Sequence, residues 1–345
     1  MQMEYPEYYE RFRCIDSACT DSCCARWEID VDEESYYRYQ TIKGDFGDRI
    51  RGCLHEEVKE GEDGPETEWS FPLTADRRCP FLNDKDLCDM YIALGHDKLP
   101  RTCREFPRGD AVVANYHQID IALACPEANR LIFEDLDKPV KYVNRPEPTG
   151  VPELDRYCAE ETQGGEKPDW GFLLDLLEER NQIIEMLEDE QIPLGDRYAT
   201  LFGTAVEYGY DIEKDSRTDL VERVERMELL DERWTKVWDP VKRAMDTGFP
   251  SAHFLEETEE GSVPEMEMIR FLVYLLFRYY IDGYFEQSLT GVYRLLLRGF
   301  HMMRLLLAAL PPEDFENADI RRDLYHVWSR EVEHSPKNFA IIKAE

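Results

Sequence analysis

The stretch Cys14-Ile-Asp-Ser-Ala-Cys19-Thr-Asp-Ser-Cys23-Cys24 places four thiols within eleven residues. A hydrophobic core gains nothing from such density that Ala or Val would not supply. Cysteine is kept there for its soft sulfur, as a ligand to a metal or cluster or as half of a disulfide. Cys79, Cys88, Cys103 and Cys125 follow, so the spacing reads C-x4-C-x3-C-C, a gap of 54 residues, then C-x8-C-x14-C-x21-C. Cys53 and Cys158 stand apart and read as packing residues. The neighbours Cys23 and Cys24 would close a disulfide only with strain.

The first residues, MQMEYPEYYERFRC, lack the apolar run of a secretory signal. Arg270 and Arg278 interrupt one long apolar stretch, and Arg294, Arg298 and Arg304 another, which excludes a membrane-spanning helix. A soluble, cytosolic protein is therefore expected, and in that compartment thiols stay reduced and ligate metals. Thiolates suit zinc and iron–sulfur clusters alike. The paired C-x2-C knuckles of zinc ribbons are absent, whereas an iron–sulfur cluster accepts irregular spacing. Eight thiols would close two four-ligand sites, or one site with an open position, and the spacing leaves that partition open.

Charge narrows the partners. Asp and Glu number 74 against 41 Lys and Arg, a net charge of −33, and the acids run along the whole chain. Phosphate-backbone binding needs a basic face, so nucleic acid is disfavoured. An acidic excess this diffuse reads as a surface adapted to high salt rather than a local patch for a cationic partner. With 345 residues, 43% hydrophobic and 12% aromatic, the chain has material for two packed domains.

Periodicity predicts a mainly α protein: a Cys-rich metal-binding region with a small β-hairpin over residues 1–137, a linker over 138–168, and a helical bundle over 169–345. In the first part the aromatic-rich residues 1–13 lead into the cysteine site. Trp27, Ile29 and Val31 alternate as a short strand. Asp32 caps a helix over 33–41, a second helix covers 48–60, and a loop runs to 78. Residues 111–123 form the hairpin, and Pro126 opens a helix. In the second part apolar stripes predict helices over 170–190, 193–210, 218–238, 266–280, 289–310 and 318–333, the last stopped by Pro336. Arg104 and Arg108 flank Cys103, placed to balance cluster charge or bind a carboxylate, or simply to pair with acids. Glu333 and His334 end the last helix, either handling a proton or placing a cation at a helix C-terminus. His96 and His117 read as structural. No Gly-rich loop follows a strand, which disfavours a Rossmann-type methyltransferase.

The segments C-x4-C-x3-C-C-x2-W-x-I-x-V-D at 14–32, CPFL at 79–82, Cys88, TCREFPR at 102–108 and ACPEA at 124–128 resemble the flagellin lysine-N-methylase (FliB-type) family. Its N-terminal half is similar to a wider zinc- or iron-chelating cysteine-cluster domain. FLVYLLFRYY at 271–280 and SREVEHSPKN at 329–338 resemble that family's helical half and terminal signature. The resemblance implies methyl transfer from S-adenosylmethionine to lysines of a flagellin-like protein. It also implies a [4Fe-4S] cluster, rather than zinc, on Cys14, Cys19, Cys23, Cys24, Cys79, Cys88, Cys103 and Cys125. Two other classes stand beside it: a non-catalytic iron- or zinc-binding cysteine-cluster protein, and a structural zinc protein with an interaction surface. Oligomeric state is not legible.

If the acidic surface is salt-adapted, the melting temperature rises as potassium chloride screens the self-repulsion. Thermal unfolding followed by circular dichroism tests this, and a melting temperature indifferent to salt refutes it.

Overall fold

In the computed structural model of the chain, residues 2–25, 27–61, 64–113, 116–146, 169–252, 254 and 260–345 are described; Cys158 and most of the expected linker lie outside them. In chain order the strands are β1 (Gln2–Pro6), β2 (Ile29–Val31), β3 (His55–Gly61), β4 (Gly64–Phe71), β5 (Arg108–Val113), β6 (Tyr116–Ile121) and β7 (Tyr142–Pro146). The early helices are α1 (Glu33–Thr41), α2 (Asp45–Cys53), α3 (Asp89–Leu94), α4 (Arg101–Glu105) and α5 (Pro126–Ile132). Then come α6 (Trp170–Glu188), α7 (Leu194–Glu207), α8 (Arg217–Glu225), α9 (Glu232–Thr247) and α10 (Val263–Tyr279). The last are α11 (Asp282–Glu286), α12 (Thr290–Ala308), α13 (Pro312–Phe315), α14 (Ala318–Val332) and α15 (Pro336–Lys343). The mainly α class holds, with small sheets towards the N-terminus. The chain divides into two compact units. One comprises Arg13–Gly109 and Cys125–Glu127, the other Met1–Phe12, Asp110–Ala124 and Ala128–Glu345.

The first unit carries all eight clustered cysteines. Its three-stranded sheet has the order β2-β4-β3, with Ile29 opposite Phe71 and Val31 opposite Trp69. Ile29, Val31, Tyr39, Ile50, Phe71 and Phe81 make a small core, in which the Phe71 and Phe81 rings meet edge to face at 4.9 Å. The expected helix over 48–60 ends at Cys53, and β3 and β4 replace its second half and the loop after it. That hairpin is held by polar cross-strand pairs. Lys59 Nζ lies 2.5 Å from Glu68 Oε2, and Trp69 Nε1 donates to Glu56 at 3.1 Å. A strand exposed along most of its length shows no apolar alternation to read. At Gly47 a Cβ would lie 2.2 Å from the Ile42 carbonyl oxygen, so the turn between α1 and α2 requires glycine.

In the second unit a four-stranded sheet runs β5-β6-β1-β7. Residues 2–6 do not merely lead into a site: β1 is an inner strand, parallel to β6 and antiparallel to β7. Met3 and Tyr5 pack on Ile119. Helix α10 is buried along nearly its whole length, as is α12. The helix expected over 218–238 is two, because the Glu331 carboxylate accepts the Leu230 and Asp231 amides at 3.0 and 3.1 Å and so starts α9 afresh. Pro336 does stop the preceding helix, and it also opens α15, with Ser335 as N-cap.

Buried arginines tie these elements together. Arg180 of α6 reaches Glu4 at 2.6 Å and Gln118 at 2.7 Å. Arg298 of α12 meets Asp215 at 2.8 Å, and Arg321 of α14 meets Glu267 at 2.7 Å. No helix of the described residues is long and apolar enough to cross a membrane.

Arg180→Met leaves Glu4 buried without its cation, and it should cost about 3–5 kcal/mol of stability. Urea unfolding measures this, and a loss near zero would show that the pair does not hold the sheet to α6.

Candidate functional site

The thiol unit assembles its cysteines from four segments. Cys14 and Cys19 flank a single 3-10 turn, Asp16–Ala18. The chain then turns so that the Cys24 carbonyl accepts the Cys79 amide at 2.8 Å, while Ala25 bridges Arg78. CPFL continues into a tight loop in which Leu82 bridges Cys88, and the Phe81 carbonyl accepts the Asp89 amide at 2.8 Å. Cys88 is the N-cap of α3, its sulfur accepting the Tyr91 amide at 3.5 Å. Cys103 lies in α4. Asp32 fixes both helices near this point: its Oδ1 caps α1 through the Ser35 amide at 2.9 Å, and its Oδ2 takes the Arg101 amide at 2.7 Å at the start of α4. Burial pushes the Asp32 carboxyl up, but those amides outweigh it and hold it below the usual carboxylate range.

Cys24 is the centre of the set. Cys14, Cys23, Cys79, Cys88 and Cys103 all feel its charge. Cys24, Cys88 and Cys103 are half-buried against the unit's core, of which Cys79 is a buried part. The hydrogen bond with Cys23, the Ser22 hydroxyl and the Arg78 charge pull the Cys24 thiol down to about 7 despite its burial. The same pairing pushes Cys23 well above the ordinary thiol range. Burial raises Cys103 well above that range and Cys79 to about 12, with thiol neighbours adding to both. The first ionisation is therefore easy and further ones costly, unless a positive centre joins the thiolates. Cys19 and Cys125 belong to the same unit. No disulfide joins the described cysteines. No three His, Cys, Asp or Glu among the described residues stand in the close geometry of a finished metal site. The donor set is soft and carries no disulfide among the described residues, the chemistry that a thiophilic metal or cluster takes, but its thiols do not stand in finished coordination geometry.

Arg104 is half-buried and donates to the Asp97 carbonyl at 3.2 Å, while Arg108 is exposed. Cys53 packs against the same core. The arginine that acts on Cys24 is Arg78, which also pairs with Asp86 at 2.6 Å. Its place directly before CPFL was the available signal.

Glu333 and His334 belong to the helical unit, in a buried polar nest. Glu333 Oε1 accepts the Tyr274 hydroxyl at 2.8 Å and the Tyr279 hydroxyl at 2.6 Å, with Arg278 Nε at 3.4 Å. Arg278 also pairs with Asp120. Glu333 Oε2 is buried with no hydrogen-bond partner among the described residues. Burial, with the nearby Arg278 and Arg330 charges, pulls the His334 imidazole down to about 3. Apolar periodicity predicts the helix that carries these tyrosines and Arg278. It gave no sign that Tyr274, Arg278 and Tyr279 converge on a carboxylate 54 to 59 residues away.

A mainly α protein with a separate cysteine-rich unit is the class that the fold defines. Three relatives place it further. The chain is 33% identical over 132 residues to the lysine-N-methylase of Salmonella typhimurium (strain LT2), covering 38% of this chain and 32% of that one. It is 32% identical over 132 residues to the lysine-N-methylase of Salmonella choleraesuis (strain SC-B67), with the same coverage. It is 31% identical over 136 residues to the flagellar biosynthetic protein FliU of Salmonella muenchen, of which the match covers 77%. The chain belongs to the FliB/FliU-type family of flagellin lysine-N-methylases. The match spans about a third of the length of the two relatives named lysine-N-methylase. No family model and no solved structure matches it.

Because the folded-state value of His334 lies below the ordinary 6.5, its burial costs stability progressively as pH falls from about 6.5 towards 3. In NMR spectra the His334 ring should remain neutral at pH ~5, and His334→Gln should lessen the acid-induced loss of stability. A ring that titrates near 6.5 contradicts this.

Proposed function

We propose that the protein transfers a methyl group from S-adenosylmethionine to lysine ε-amines of a flagellin-type protein, and that its eight clustered cysteines are the set from which a [4Fe-4S] cluster draws its ligands. The observation that carries this reading is the convergence of thiols from separate segments on Cys24, in a chain whose relatives include proteins named lysine-N-methylase. Bound there, a cluster would supply a soft cationic centre that compensates several thiolates and can take up donor groups. Cys14, Cys19, Cys23, Cys24, Cys79, Cys88, Cys103 and Cys125 are the thiols from which its three or four protein ligands would come. Cys24 is the first to ionise, and Arg78 lowers the cost of that charge. Arg104 and Arg108 hold the carboxylate of the methyl donor.

A lysine attacks only as the neutral amine, so its proton must go to an acceptor. In the helical unit Glu333 Oε2 is a carboxylate oxygen without a hydrogen-bond partner among the described residues, Oε1 already accepting from Tyr274 and Tyr279. With its basicity suppressed to about 3, His334 orients rather than takes the proton. A second reading, metal binding without catalysis, draws on the thiol unit's possession of its own core.

Protein purified without oxygen should carry iron and acid-labile sulfide. Cys24→Ala and Cys103→Ala should each lose most of both, and Cys53→Ala should retain them. With S-adenosylmethionine and flagellin, mass spectrometry should find methylated lysine. Colourless protein holding only zinc refutes the cluster. Brown protein that leaves flagellin unmodified, and whose spectrum the methyl donor does not alter, selects the non-catalytic reading.

A further inference from the structure

The helical unit has a cavity of about 900 Å³, open to solvent on one side and bounded by the end of α6, the start of α10, β7 and the segment before it. Eight of its lining residues are acidic: Glu4, Asp137, Glu185, Glu188, Asp189, Glu190, Glu260 and Glu265. Two of these acids are already ion-paired, Glu4 with Arg180 at 2.6 Å and Glu260 with Arg197 at 3.4 Å, and the lining Lys138 lies 3.3 Å from Asp135. Arg270 donates to the Ile132 and Lys138 carbonyls, both at 2.7 Å, and Arg197 to the Leu187 carbonyl at 3.0 Å.

Acidity alone would say little in a chain of this composition. The second observation is Glu265, which is only 2% exposed. Its Oε1 accepts the Tyr198 hydroxyl, and its Oε2 is buried with no hydrogen-bond partner among the described residues. A buried carboxyl oxygen left unanswered is costly, and a cation brought to it removes that cost. Glu188 resembles it: Oε1 accepts the Val140 amide at 2.9 Å, and desolvation raises its carboxyl to about 7, as it does that of Glu265. Between the acids the wall is apolar, with Ile184, Met266 and Ile269.

Each of these two carboxyls has one oxygen taken by a protein donor, so neither offers the paired edge that a guanidinium fork needs. An ammonium has three donors that can address single oxygens from different side chains, and its methylenes suit the apolar wall. We propose that this cavity binds a primary alkylammonium, its head on Glu265 and Glu188 and its chain along Ile184, Met266 and Ile269. A free alkyl diamine and a lysyl side chain of a polypeptide present the same chemistry. The inference is independent of methyl transfer and of the thiols.

Isothermal titration calorimetry on the full chain, without methyl donor, tests it with cadaverine, Nα-acetyl-lysine methylamide and, as the uncharged control, n-butanol. At least one amine should bind and n-butanol should not. Tighter binding of cadaverine identifies a free diamine as the source; tighter binding of the blocked lysine identifies a polypeptide side chain. Glu265→Gln and Glu188→Gln keep shape and remove charge, and each should weaken amine binding about tenfold or more, with Glu213→Gln unchanged. The half-buried Glu188 provides the second variant should Glu265→Gln unfold. Absence of amine binding, equal binding of n-butanol, or wild-type affinity in a folded variant overturns the proposal. A failure of lysine methylation leaves it untouched.

Discussion

The helical unit depends on burying guanidinium groups against carboxylates and carbonyls from distant parts of the chain. Arg180, Arg298, Arg321 and Arg330 are all less than a tenth exposed. The first three meet carboxylates or carbonyls from elements far along the chain: Arg180 joins α6 to the central strands, Arg298 binds the end of α15 through the Ile342 carbonyl at 2.6 Å, and Arg321 joins α14 to α10. An apolar replacement of a whole pair can be as stable, so these contacts are better understood as fixing register than as adding net stability. Removing one partner is another matter, because it strands the other. The same logic governs the Glu333 nest, where Arg278, Tyr274 and Tyr279 converge on one oxygen and leave the other without a hydrogen-bond partner among the described residues.

In the thiol unit the corresponding constraint is a single carboxylate. Asp32 caps α1 with one oxygen and starts α4 with the other, so the helix bearing Cys103 is registered against the strand that follows the first cysteine cluster. Around that frame the thiols approach closely enough to raise one another's cost of ionisation, Cys24 excepted. The geometry is that of a donor set whose charge is incomplete by itself.

Local rules made much of this legible. Asp32, Pro126 and the apolar stripe of α6 mark helices that the structure contains, and the density of cysteines marked the thiol unit. What escaped was whatever depends on distant partners. Residues 2–6 show nothing of an inner strand until β6 and β7 lie beside them. The β3–β4 hairpin is largely solvent-exposed, so it lacks an alternating pattern. Arg78, Tyr279 and Glu265 are unremarkable in sequence; their importance comes from a thiol, a carboxylate and a cavity supplied by other segments.

Drawing guanidinium groups inward also changes what the surrounding solution meets. With 74 acids against 41 bases, and several of the bases buried, the exterior behaves as a fixed-charge cation exchanger. Counter-ions and protons concentrate in the layer next to it, so local acidity exceeds that of the bulk wherever salt is too dilute to flatten the potential. An amine crossing that layer is drawn in and kept protonated. Its protonation state can change only where desolvation, rather than bulk pH, sets it.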